Sequence, residues 1–79
     1  MHGKIRLCDM SPGPTGHVVS LSEKCNIFTR LRDLGLIKGA KVECVIKSPL
    51  GDPSAYLIRG ALIALRRNDA KYVLIERKV

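Results

Sequence analysis

Few residues in these 79 could do chemistry. Cys8, Cys25 and Cys44 stand far apart with no Cys-x-x-Cys pair, and His2 and His17 are the only imidazoles. An odd number of widely spaced cysteines suits neither a disulfide framework nor a zinc knuckle. Cys8, Cys25, His2 and His17 are the candidates for a transition-metal site, which needs convergent ligands that spacing alone does not supply. The favoured reading is reduced, buried thiols, since free cysteine packs as a small hydrophobe and Cys44 alternates with Val42 and Ile46. No Ser/His/Asp set and no glycine-rich phosphate loop is present, so neither an enzyme nor a bound cofactor is expected.

The remaining chemistry is charge. Fourteen Lys and Arg against seven Asp and Glu give +7, with the excess leaning toward Arg59, Arg66, Arg67, Lys71, Arg77 and Lys78. Such a balance favours an anionic partner without naming one. Nucleic acid is the alternative it raises, but stacking platforms need clustered aromatics, and Phe28, Tyr56 and Tyr72 are dispersed. No apolar run approaches the ~20 residues of a membrane helix. The first residues lack the apolar segment of a signal peptide, so a cytoplasmic location and a single domain over residues 1–79 are expected.

The elements that must carry these side chains can be read from their periods. Ile5 to Leu7 is an extended entry, and Ser11-Pro12-Gly13-Pro14-Thr15-Gly16 breaks the chain. His17 to Leu21 reads as a strand. From about Lys24 to Leu34, Ile27, Phe28, Leu31 and Leu34 recur at helical spacing and form one apolar stripe, with Arg30 and Arg32 on the wet side. Ser20 with Glu23, Ser22 or Asn26 could cap its start, and Gly35 with Leu36 suits its end. Lys41 to Lys47 is the clearest strand, with Val42, Cys44 and Ile46 on one face. A polar turn follows at 48–53. Ala55 to Arg59 returns as a strand, Gly60 marks a bulge or bend before a further strand-like stretch with Ile63 and Leu65, Arg66 to Ala70 is a turn, and Tyr72 to Glu76 is a last strand.

Five short strands with one short α-helix between the first and second make a mainly β chain, and a small barrel is the form in which so few residues hide their sheet edges. The run Arg30-Leu31-Arg32-Asp33-Leu34-Gly35-Leu36-Ile37-Lys38-Gly39 resembles the Arg-Leu-x-x-Leu-Gly-Leu-x-x-Gly signature of FeoA-type ferrous iron transport accessory proteins. Ser48-Pro49-Leu50-Gly51-Asp52-Pro53 is similar to the loop that follows in that family. Arg59-Gly60, Leu65-Arg66-Arg67 and Asp69-Ala70 match its closing segment, and Leu7, Met10 and Pro12-Gly13 its opening.

The resemblance implies an SH3-like barrel with no catalytic activity. It also implies a cytosolic role beside the membrane transporter FeoB, meeting the membrane only through that partner. The same domain ends metal-dependent repressors, so a metal-responsive regulatory domain is a second alternative, although no length remains here for a winged helix. The exposed loop Leu50, Gly51 and Asp52 and the arginines Arg30, Arg32, Arg66 and Arg67 are the candidate partner-binding residues.

Overall fold

The computed structural model describes residues 2–48 and 52–78, the side chains of His2 and Lys78 excepted. Six strands form: β1 (His2–Arg6), β2 (Thr15–Leu21), β3 (Lys41–Lys47), β4 (Ser54–Ile58), β5 (Ala61–Leu65) and β6 (Val73–Lys78). Between them lie a single 3-10 turn at Leu7–Asp9 and two short helices, α1 (Phe28–Asp33) and α2 (Arg67–Ala70). The fold is mainly β, as expected. The sixth strand is the extended entry, which reaches back to His2 and pairs with β6 from His2↔Lys78 to Arg6↔Leu74. The helix consequently follows the second strand, and the expected turn at Arg66–Ala70 contains α2.

All strand pairs are antiparallel, in the order β1-β6-β2-β3-β4-β5. The sheet wraps one core, and β1 and β5 are its two edges. Val42 pairs with Ile58 and Cys44 with Tyr56, so alternation drives all four into the interior, beside Val18, Val73 and Ile75. Leu7, Met10, Leu31 and Leu36 close the core from the segments between strands.

Two side chains depart from their expected faces. Ile46 is 60% exposed, because the β3–β4 register shifts between Cys44 and Ile46 and the extra residue rotates the strand's end outward. Leu34 ends the helical stripe, yet it lies at the C-cap, 37% exposed.

The helix is shorter than its period suggests. Ser20 is committed to β2, opposite Leu74, and cannot cap it. Ser22 accepts the Lys24 N–H at 3.2 Å within its own turn, and further turns carry the chain from Ser22 to Phe28. Helix α1 therefore begins after Ile27 with no side-chain cap. Its end is as expected. Gly35 takes φ +112°, its N–H reaches the Arg32 carbonyl at 3.0 Å, and the Leu36 N–H reaches the Leu31 carbonyl at 3.1 Å. These two bonds close the helix with a left-handed glycine and bury Leu36.

The bend at Gly60 is a two-residue hairpin turn. Arg59 and Gly60 have φ +50° and +88°, the signs of a type I′ turn, which suits the twist of the strands it joins. Among the described residues no helix is long and apolar enough to cross a membrane.

Candidate functional site: a groove between α1 and the β5 edge

One face of α1 and its flanks presents Ile27, Arg30, Leu31 and Leu34, at i, i+3, i+4 and i+7. Across from it lie the last three residues of β5, then Arg66 and Asp69, and the space between is a groove of about 190 Å³. That is below the roughly 300 Å³ at which small-molecule pockets begin, and suits single side chains better than a whole ligand.

Both walls are held from behind. Leu31 anchors α1 in the core, and at its end Gly35 leaves room for Arg59, whose Cδ would lie 3.0 Å from a Cβ at that position. On the other wall Ala70 is buried and Asp52 Oδ1 accepts the Arg67 N–H at 2.8 Å, satisfying one free donor of the first turn of α2. Asp52, expected to meet a partner, thus has a structural task. Leu50 and Gly51, its companions in that expectation, lie outside the described residues.

The four candidate arginines divide. Arg32 lies over the Phe28 ring, 5.6 Å from its centroid. Arg67 Nη2 bonds Asp9 Oδ1 at 3.1 Å, while Arg6 Nε bonds Asp9 Oδ2 at 3.0 Å. Partial burial pushes the Asp9 carboxyl up, but the hydrogen bonds and charges of Arg6 and then Arg67 outweigh it and hold that carboxyl below the usual aspartate range. Arg30 and Arg66 are exposed and have no ion-pair partner among the described residues, and both line the groove, with Asp69 the one acid there. Beyond the hairpin turn a wider hollow of about 530 Å³ is lined by Lys38, Lys41 and Arg59.

The candidate metal ligands that the structure describes are Cys8, Cys25 and His17. Cys8 and Cys25 are buried free thiols, while His17 is exposed on β2 between Lys41 and Glu76. The His2 side chain lies outside what is described. Among the described residues no group of three His, Cys, Asp or Glu side chains could hold a metal ion. Burial pushes the Cys44 thiol and the Tyr56 hydroxyl up, Ser54 partly offsetting the latter, so neither is primed as a nucleophile at neutral pH. Tyr56 is buried, and Phe28 and Tyr72 are partly covered and carry Arg32 and Lys71 over their rings.

The sequence reading places no functional weight on Ala61–Leu65. The available signal is the absence of charge: five apolar residues between Arg59-Gly60 and Arg66.

Six antiparallel strands wrapped on one small core make an SH3-like domain. The model of the FeoA domain matches residues 5–77, and the chain belongs to the FeoA family. Its fold is similar to that of the FeoA protein from Chlorobium tepidum, with 32% identity, a TM-score of 0.85, and 95% of this chain and 71% of that one covered. It is also similar to the zinc complex of FeoA from Stenotrophomonas maltophilia, at 31% identity, TM-score 0.79, and 90% and 88% coverage. That protein is described as an SH3 domain protein and a suggested activating factor of ferrous iron transport. A manganese-dependent transcriptional repressor shares the fold at a TM-score of 0.84 and 16% identity, over 95% of this chain and 37% of that one. Comparison with functionally curated proteins gives no match.

Proposed function

We propose that this chain is a cytosolic accessory protein of ferrous iron transport that docks on a FeoB-type transporter and adjusts it by protein contact, without catalysis or a cofactor of its own. Membership of the FeoA family supports the link to iron uptake. The groove between α1 and β5 carries the docking half of the reading. It joins apolar walls to two arginines, Arg30 and Arg66, that have no ion-pair partner among the described residues, a composition suited to a protein surface. Base stacking has less support, since Tyr56 is buried and the other two rings are partly covered.

The test is a pull-down of the full chain with the transporter's cytosolic GTPase domain, loaded with GDP or a GTP analogue, beside ferrous iron uptake in a deletion strain. Co-purification with one or both forms and reduced uptake are expected. Unchanged uptake together with no co-purification in either nucleotide state overturns the reading.

A further inference from the structure

We propose that the free edge of β5 is a strand-addition site. Its occupant is an extended peptide segment of a protein partner, with apolar residues at alternate positions and acidic residues at its ends. The inference rests on the docking function proposed above and names the surface and the partner's chemistry.

The hairpin geometry shows which backbone groups are free. A two-residue type I′ turn makes Ile58 and Ala61 a hydrogen-bonded pair, and such pairs alternate along an antiparallel ladder. Tyr56↔Ile63 and Ser54↔Leu65 are therefore bonded pairs too. The N–H and C=O groups of Leu62 and Ala64 point away from β4, and among the described residues no strand pairs with β5 on its other side. An added strand would bond these groups. Every second side chain would then enter the groove against Ile27 and Leu34, while those between would lie beside Leu62, which is 62% exposed.

The groove touches Ile63, Ala64 and Leu65, three consecutive residues that point alternately to both faces, so it runs along the strand's edge. A helix facing a free strand edge across a slot is a recurrent way of seating an extended peptide.

Charge selects the occupant. Arg59 stands before β5, and Arg66 after it, with Arg30 on the facing wall. A second copy of this chain is disfavoured: antiparallel pairing of two β5 edges with Leu62 opposite Ala64 sets Arg59 of each copy opposite Arg67 of the other, and each copy carries +7. Acidic ends on a foreign strand turn the same positions into attraction.

The probe is a synthetic eight-residue peptide of alternating valine and threonine with glutamates at both ends, titrated into the ¹⁵N-labelled full chain. Chemical-shift changes centred on β5 and α1 are expected, with slowed hydrogen exchange at Leu62 and Ala64. The same peptide with lysines for glutamates should bind at least about tenfold more weakly. Ala64→Pro removes one edge donor and Leu62→Glu adds an exposed repulsive charge; each should raise Kd about tenfold or more, and the second leaves the backbone intact. Shifts centred instead on Lys38 and Lys41, equal binding of the two peptides, equal binding by Leu62→Glu, or no shift at β5 overturns the proposal. Pull-downs keep the two readings distinct. Co-purification of wild type and Leu62→Glu alike leaves docking standing and removes the edge, whereas failure of wild type removes docking and leaves the peptide titration to decide the edge.

Discussion

The two edges of the sheet are built differently. β1 carries Lys4 and Arg6 within five residues, and Arg6 is tied to Asp9 and through it to Arg67 on α2. Charged side chains on an exposed strand deter unwanted pairing, because an incoming chain must desolvate or repel them. β5, at the far side of the sheet, is Ala-Leu-Ile-Ala-Leu, without charge or proline. In a protein this basic, a lysine on β5 would be an ordinary occurrence. One edge is defended and the other is left open beside a helix, which is how a domain confines strand pairing to a single place.

The difference between the edges should show first on β5 itself. Ile63→Pro deletes a donor to β4 and should cost about 3 kcal/mol or prevent folding, whereas Ala64→Pro deletes an outward donor and should cost much less. Urea denaturation of the two variants measures this, and equal losses would mean that the free groups of β5 are misassigned. Next in size is Gly35→Ala. At φ +112°, with Arg59 Cδ only 3.0 Å from the new methyl, it should cost about 1–2 kcal/mol and loosen the wall opposite β5. Thermal unfolding and peptide affinity should fall together.

The smallest effect belongs to the β1 side. The Asp9 carboxyl is held below its ordinary range in the fold, so its contribution is present above the unfolded pKa, near 4, and fades as pH falls through the lower folded value. Asp9→Asn should lower stability at neutral pH by less than about 1 kcal/mol, since the pair is well exposed, and should remove that part of the acid dependence. Chemical denaturation between pH 2 and 7, a window set around the ordinary aspartate pKa, checks both.

Much of the fold is legible in the sequence where a local rule decides it. Val42 with Cys44 and the Gly35-Leu36 helix end depend on alternation and on one glycine's freedom, and both stand as read. Ile46 does not, because a bulge is settled by how β3 meets β4. The start of α1 is misplaced because Ser20 serves β2 instead of a cap. The arginines of the signature are legible as polar, but their division is not. Arg30 and Arg66 share a groove only after α1 folds back across β5, while Arg32 and Arg67 are occupied by Phe28 and Asp9. Cys8 and Cys25 are buried free thiols, the reading the sequence favours for them.

The close seating of Arg59 over Gly35 has a mechanical consequence. The tip of the β4–β5 hairpin and the end of α1 bear on one another, so a shift of either is felt at the other. The slot is braced near that end, and segments carrying valine or threonine are expected to fit it better than segments carrying tryptophan.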